Sequence, residues 1–150
     1  MTSESAERGI GASIRKAHRL YQRQLQDHLA KRNLTVAQYL HLRVLREKKS
    51  LFQNEISAEL GIEKASSTGI IDMLDRAKLI KRVRDDEDRR RIRVTLTEKG
   101  NALADTILPF AKQIALSATD GVSAADLDTY FEVMDRIIAN LSAIPDRNGR

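Results

Sequence analysis

Apolar residues recur at three- and four-residue spacing along most of the chain, which predicts a mainly α-helical protein. One long helix is predicted over residues 10–32, and its apolar stripe consists of Ile10, Ile14, Ala17, Tyr21, Leu25 and His28. A second long stripe follows the cap residue Thr97 and predicts a helix to about residue 119, bent at Pro109. A third begins after Ser123 and continues to about residue 144. Both ends of the chain are therefore predicted to be helical.

Two shorter helices are predicted in the first half of the chain. Thr35 and Gln38 have the spacing of a capping box and open the first of them. Ser50 and Gln53 repeat that spacing, which predicts a second helix of about ten residues. Gly61 ends this second helix, because glycine adopts the left-handed conformation that commonly follows a helix.

A further helix is predicted over residues 64–77, with Ile70, Leu74 and Ala77 facing inward. Small polar and basic residues occupy its first turns on other faces, namely Lys64, Ser66, Ser67 and Thr68. Two short helices joined by a glycine turn are typical of a helix-turn-helix that enters the DNA major groove. A two-helix hairpin buried in any all-α protein has the same outline.

The apolar period changes to two after this pair of helices. Residues 79–84 and 91–96 alternate apolar with polar side chains, which predicts two β-strands. The intervening DDEDRR lacks the Asn-Gly or Asp-Gly of a two-residue turn, so we expect a longer, charged hairpin tip. A basic hairpin after a helix-turn-helix predicts a winged helix, in a chain that is mainly α with a small β component (α+β).

The terminal helices carry more apolar surface than a winged unit of residues 35–96 requires for its own core. We therefore expect residues 1–34 and 97–150 to form a helical dimerisation region. A twofold homodimer would present two recognition helices to a palindromic DNA site. The alternative is that these helices complete the core of a monomer.

The net charge of +5 comes from one short segment. Residues 76–93 contain nine Lys or Arg and four Asp or Glu, so the rest of the chain is neutral overall. Such a cluster is typical of a phosphate-binding surface, although a solvated surface run would look the same.

Several functional classes are disfavoured by what the sequence lacks. There is no Cys, which excludes thiol redox sensing, cysteine nucleophiles and thiolate metal sites, and the three His lack the spacing of a metal pair. No GxSxG, P-loop, GxGxxG or HExxH motif is present, so we expect neither an enzyme nor a cofactor. The first 30 residues contain no apolar signal segment, and no run of about 18 apolar residues occurs, which predicts a cytoplasmic protein without membrane contact.

The sequence resembles the MarR (multiple antibiotic resistance regulator) family of winged helix-turn-helix transcriptional regulators. The resemblance is carried by LTVAQYLHLRVL at 34–45, NEISAELGIEKASSTGIIDMLDRAKLI at 54–80 and RDDEDRRRIRVTLTEKG at 84–100. It implies a homodimer that binds double-stranded DNA at palindromic operators, usually as a repressor that a small ligand releases. A winged-helix protein-interaction module without specific DNA binding is the alternative.

The resemblance also implies roles for single residues. The Asp-x-Arg of the family's wing tip corresponds to Asp88 and Arg90, which implies that Arg90 enters the minor groove and Asp88 braces the wing by an ion pair. A flat, permanently charged guanidinium suits a narrow minor groove. The full set of DNA-binding residues that we predict is Gln53, Lys64, Ser66, Ser67, Thr68, Arg84, Arg89, Arg90 and Arg91.

Two positions depart from the family's pattern. Gly69 replaces a larger, often basic residue of the recognition helix, so one base contact is expected to be missing. Lys78 replaces the glycine that is usual before the first wing strand, which requires either a different turn or a left-handed Lys.

The effector that the resemblance implies is expected to be an anion, because cationic and aromatic residues are found on the first two helices. We predict an aromatic carboxylate or its coenzyme A thioester, bound by His18, Arg19, Arg23, Tyr39, His41 and Arg43. The alternative is that His18 and His28 are interface histidines and that Arg19 is only solvated.

Overall fold

The computed structural model describes residues 9–145, which form six helices and one three-stranded sheet. The helices are α1 (Ile10–Ala30), α2 (Val36–Lys48), α3 (Gln53–Leu60), α4 (Lys64–Arg76), α5 (Glu98–Ala118) and α6 (Ala124–Ser142). The strands are β1 (Ser50–Phe52), β2 (Ile80–Arg84) and β3 (Ile92–Leu96). This is the predicted winged helix-turn-helix with additional helices before and after it. None of the helices in residues 9–145 combines the length and apolarity needed to span a membrane.

Helix α2 supplies the centre of the core in the first of two compact units, which ends at residue 114. Its buried residues are Tyr39, His41, Leu42, Val44 and Leu45. The predicted capping box is present, since the Thr35 hydroxyl accepts from the Gln38 backbone amide and the side-chain Oε1 of Gln38 accepts from the Thr35 backbone amide. Two orphan amides at the helix start are thereby satisfied.

The predicted start of the third helix at Ser50 is wrong. Residues Ser50–Phe52 form β1, which pairs antiparallel with β3 and places Leu51 opposite Val94. Helix α3 begins at Gln53, and the Phe52 amide donates to Glu55 Oε2 at 3.0 Å. The capping contact therefore involves a pair of residues two positions later than predicted. The predicted glycine stop is confirmed, with Gly61 at φ 66°.

The two predicted wing strands are confirmed. Strands β2 and β3 pair antiparallel from Ile80 opposite Leu96 to Arg84 opposite Ile92, and β3 is the central strand of the sheet. We use "wing" for β2, β3 and the tip between them, residues 85–91. Because β3 pairs on both edges, its Val94 is fully buried.

The face of α4 that is buried is rotated around the helix axis relative to the predicted face. The buried residues are Ser67, Ile71 and Leu74, whereas Ile70 is half-buried and Ala77 is exposed. Only Leu74 is shared with the predicted stripe. Helix α4 packs against α2, α3 and β2, so these neighbours determine which face is covered.

The junction between α4, β2 and α5 is held by close backbone contacts. Lys78 adopts the left-handed conformation, at φ 60°, and its carbonyl accepts from Thr97 Oγ1 at 2.7 Å. The Thr97 hydroxyl in turn accepts from the Gly100 amide, which confirms Thr97 as a helix cap. Gly100 faces the Leu79 carbonyl so closely that a Cβ at this position would overlap the oxygen.

The second compact unit, from residue 115, contains α6. Ser123 caps this helix as predicted, its hydroxyl accepting from the Asp126 amide at 3.1 Å. No residue of α6 is buried. The exposed apolar residues in and after α6 are Tyr130, Phe131, Val133, Ile138, Leu141 and Ile144.

Gly100 and Gly69 provide a matched pair of substitutions for testing this packing. We expect Gly100→Ala to lower the free energy of unfolding by about 2–3 kcal/mol, because the new Cβ must displace the Leu79 carbonyl. Gly69 lies inside α4 with no atom within 4 Å of an added Cβ, so Gly69→Ala should raise that free energy by about 0.5–1 kcal/mol. Urea unfolding measures both. Equal values for Gly100→Ala and the unmodified protein would contradict the close approach.

Candidate nucleic-acid interface

A cleft of about 250 Å³ lies where α3, α4 and the wing come together. It brings together five of the predicted DNA-binding residues, namely Gln53, Lys64, Thr68, Arg90 and Arg91. Three residues that the sequence did not single out complete its walls: Asn54, Ser57 and Ile92. Seven of the eight lining residues are polar or charged, and the wing contributes two arginines.

The leading end of α4 presents side chains to solvent. Lys64, Ser66 and Thr68 are exposed, as predicted. The Thr68 hydroxyl donates to the Lys64 carbonyl at 2.8 Å, so the Thr68 oxygen is left as a hydrogen-bond acceptor for a ligand. Gln53 Oε1 is buried and accepts no hydrogen bond from residues 9–145. A ligand donor at that atom would remove the cost of an unpaired acceptor.

Ser67 is buried, and the prediction that it contacts DNA is wrong. Only 2% of its surface is exposed, and its hydroxyl lies 3.0 Å from His41 Nε2. The sequence pattern misled because a serine between two other small polar residues looks like part of a solvated face. Its partner lies on α2, 26 residues earlier.

The wing tip holds Arg90 out into solvent. The Arg90 side chain is 91% exposed, and its Nε donates to Asp88 Oδ1 at 3.1 Å. This ion pair is the one implied by the family resemblance. Hydrogen bonds from the Arg90 side chain and amide lower the pKa of Asp88, which keeps the carboxylate charged. The tip is closed by the Arg91 amide, which donates to the Asp88 carbonyl.

Arg84, the last residue of β2, contacts Arg89 in the tip. Arg84 Nη1 donates to the Arg89 carbonyl at 2.9 Å, and both side chains are exposed. Within residues 9–145 neither guanidinium forms an ion pair with a carboxylate. Both therefore remain available to an external anion.

Arg91 is held against α3 by contacts that the sequence did not suggest. Its guanidinium lies 3.4 Å from the centroid of the Phe52 ring and donates to Glu55 Oε1 at 3.0 Å. Arg93 contacts the same ring, at 4.3 Å, and pairs with Asp85. The base of the wing is thereby attached to β1 and α3.

Arg82 joins the wing to the recognition helix α4. Its guanidinium donates twice to Asp75 Oδ2, at 2.7 and 3.0 Å, and once to Asp72 Oδ1 at 2.8 Å. The hydrogen bonds to these carboxylates raise the pKa of Arg82. The spacing of Asp72 and Asp75 on one helix face could have suggested a cationic partner, but not which of the nearby arginines it is.

The six predicted effector residues differ in their exposure. Tyr39 and His41 are buried in the core, so their predicted exposure to a ligand is wrong, and burial raises the pKa of Tyr39. The others are exposed: His18 contacts Gln22, Arg43 pairs with Glu47, and Arg19 and Arg23 lie on α1. None of the six lines the α3–α4–wing cleft or a cavity of about 480 Å³ whose walls are Leu45, Arg46, Lys49, Leu96 and Asn101.

Metal-ligating side chains do not cluster in the described part of the chain. Residues 9–145 hold no group of three or more His, Asp or Glu placed to bind one ion.

Comparison with known proteins identifies relatives over most of the chain. A family model described as "Transcriptional regulator SarA/Rot" matches residues 24–107. The HTH-type transcriptional repressor NicR of Pseudomonas putida is 30% identical over 117 residues, which cover 78% of this chain and 74% of NicR.

Two solved structures extend this comparison. One, on the regulation of DNA binding of Bordetella bronchiseptica BpsR by 6-hydroxynicotinic acid, is 29% identical, has a TM-score of 0.77, and covers 85% of this chain and 97% of that one. A mutant MarR of Escherichia coli complexed with operator DNA has a TM-score of 0.79 at 19% identity and covers 91% of this chain and 99% of that one, which shows the shared fold.

The Arg82 contacts can be tested by a substitution that keeps the charge. Arg82→Lys cannot reproduce the double contact with Asp75, so we expect a loss of about 0.5–1 kcal/mol in unfolding free energy. Hydrogen exchange of the β2 amides should become faster. Arg84→Lys, two residues along the same strand, is the matched control. It should change neither the free energy of unfolding nor the exchange rate of the β2 amides. Unchanged exchange in Arg82→Lys would show that the wing is held in place without this contact.

Proposed function

The chain belongs to the MarR family of winged helix-turn-helix transcriptional regulators, and from that premise we propose that it is a homodimeric repressor of a palindromic operator, released by a small anionic effector. Its relatives are DNA-binding regulators, and the chain is accordingly a DNA-binding transcriptional regulator and not an enzyme.

The observation that carries the proposal is the α3–α4–wing cleft with Arg90 at its edge. Lys64, Ser66 and Thr68 would meet the major groove, where a recognition helix contacts base edges and phosphates. Arg90, almost fully exposed on the wing tip, would enter the adjacent minor groove. Arg84, Arg89 and Arg91 would contact backbone phosphates, and Gln53 would donate or accept at the cleft floor.

The exposed apolar surface supports the homodimer. Helix α6 buries none of its residues within the chain, and Ile10, Leu20 and Tyr21 are exposed on α1. Apolar faces of this kind are covered in stable proteins, and a second copy of the chain is the economical cover. A twofold pair of winged units would then meet major grooves about 34 Å apart on a palindromic site.

The effector is proposed from chemistry and from the relatives. BpsR is regulated by 6-hydroxynicotinic acid, which is an aromatic carboxylate. In this chain the exposed residues His18, Arg19, Arg23 and Arg43 remain candidates to bind such an anion or its coenzyme A thioester. Tyr39 and His41 are both buried and are not proposed to bind the effector.

The DNA proposal is tested by titrating the protein with the duplex upstream of its own gene and with a scrambled duplex, at two salt concentrations. We expect Arg90→Ala to weaken operator binding by about tenfold, or about 1.4 kcal/mol, and to lower the preference over scrambled DNA. Arg91→Ala should weaken binding to both duplexes nearly equally and reduce the salt slope by about 1.

Lys112→Ala is the charge-matched control for these two variants. Lys112 is exposed on α5 and away from the cleft, so its loss should leave operator preference unchanged. Light scattering of the same samples should give the mass of a dimer. If the unmodified protein instead binds both duplexes equally and weakly, and binds genomic fragments no better, that result would favour the protein-interaction module.

The effector is tested by calorimetry with hydroxylated pyridine and benzene carboxylates and their coenzyme A thioesters. We expect at least one to bind and to lower operator affinity, by a factor of about 5–150 for typical allosteric coupling. Arg43→Gln and Arg23→Gln should weaken the binding of that compound. A screen in which no aromatic acid or thioester binds would remove this class of effector.

A further inference from the structure

The described residues contain three buried polar side chains, His41, Ser57 and Ser67, and two of them bond to each other. His41 on α2 is fully buried, and its Nε2 lies 3.0 Å from the hydroxyl of Ser67 on α4. A buried polar pair stabilises a protein less than well-packed apolar residues of the same shape would. The pair therefore invites an explanation beyond stability.

The direction of this hydrogen bond is determined by the other nitrogen of the ring. His41 Nδ1 lies 2.7 Å from the Ala37 carbonyl, which only accepts, so Nδ1 carries the proton. Burial lowers the pKa of His41 and keeps the ring neutral, which leaves Nε2 as an acceptor for the Ser67 hydroxyl. Both nitrogens are used, so the imidazole is held in one orientation.

Helix α4 has two apolar stripes that could face the core. The observed stripe is Ser67, Ile71 and Leu74. The second consists of Ile70, Leu74 and the C-cap residue Ala77, and Ser66 continues it toward the start of the helix. At about 100° per residue the centres of the two stripes are about 60° apart around the helix axis. Apolar burial alone does not decide between them, because each stripe contains two large apolar residues and one serine.

We infer that the His41–Ser67 hydrogen bond sets the axial rotation of the recognition helix and selects the observed stripe over the alternative one. His41 and Ser67 are then positioning residues, which never touch DNA but determine which α4 side chains face it. A rotation of about 60° would turn Ser66 and Thr68 away from their present directions. The consequence for operator specificity rests on the proposed function, whereas the rotation itself does not.

The rotation can be measured without DNA, because the chain has no cysteine. Ala77→Cys places a thiol at an exposed position that the alternative stripe would bury, and Gly69→Cys places one that stays exposed in both rotations. In the background of the double substitution His41→Leu and Ser67→Ala, we expect labelling of Ala77→Cys to slow by about tenfold relative to the Gly69→Cys control. Equal labelling rates in both backgrounds would overturn the inference.

The effect on specificity is measured as the ratio of operator to scrambled-duplex affinity. The double variant leaves no polar atom buried without a partner, so it should recover most of the stability lost by Ser67→Ala or His41→Leu alone. Its affinity ratio should nevertheless fall by about tenfold. The single substitution His41→Gln keeps a side-chain amide near the position of Nε2. We therefore expect this variant to have most of the affinity ratio that the double variant loses.

The outcomes separate the two claims. A stable double variant with the unmodified affinity ratio would overturn the positioning role. If the unmodified protein does not distinguish the duplexes, the proposed function fails, and the thiol-labelling rates still decide whether the hydrogen bond sets the helix rotation.

Discussion

The packing of α4 against α2 is the constraint on which the rest of the winged unit depends. Helix α2 supplies the centre of the core, and α4 is fixed to it through Ile71, Leu74 and the Ser67–His41 contact. Arg82 attaches β2 to the outer side of α4, and β2 in turn carries the wing. The position of the wing tip therefore depends on the orientation of α4, through the packing and hydrogen bond of α4 against α2 and the ionic contact of Arg82 with α4.

The basic segment has two tasks that a count of charges does not distinguish. Of the nine Lys and Arg in residues 76–93, four form ion pairs with carboxylates, namely Arg82, Arg90, Arg91 and Arg93. Arg82 connects the wing to α4, and Arg91 connects it to α3. Arg93 connects β3 to Asp85 in the wing tip. Fewer cationic groups are therefore unpaired than the sequence suggests, and two of them, Arg84 and Arg89, are exposed near Arg90 at the wing tip.

Local signals in the sequence predicted the long helices, the Thr35 and Thr97 caps, the Gly61 stop and the two wing strands. Features that depend on distant partners were not predictable. Strand β1 has only three residues, so its pairing with β3 leaves no periodic signal. Ser67 was assigned to the surface because its partner is on another helix, and the contacts of Arg91 with Phe52 and Glu55 were not predicted because those residues are far away in sequence. In each case the residue type indicated what kind of contact the side chain could make, but the sequence did not indicate which residue would be its partner.

In the free protein, the exposed Arg90 at the wing tip is already paired with a carboxylate, that of Asp88. In the free protein the Asp88 carboxylate occupies part of the hydrogen-bonding capacity of Arg90, which restricts the rotamers of a long, exposed side chain. Any nucleic acid that binds Arg90 must share the guanidinium with Asp88 or replace it, so less side-chain entropy is lost on association. Asp88 also adds a negative charge that repels a nearby phosphate. Asp88 thus weakens the attraction of the tip for anions but restricts the conformations of Arg90, which favours a ligand with one well-placed acceptor over a diffuse polyanion.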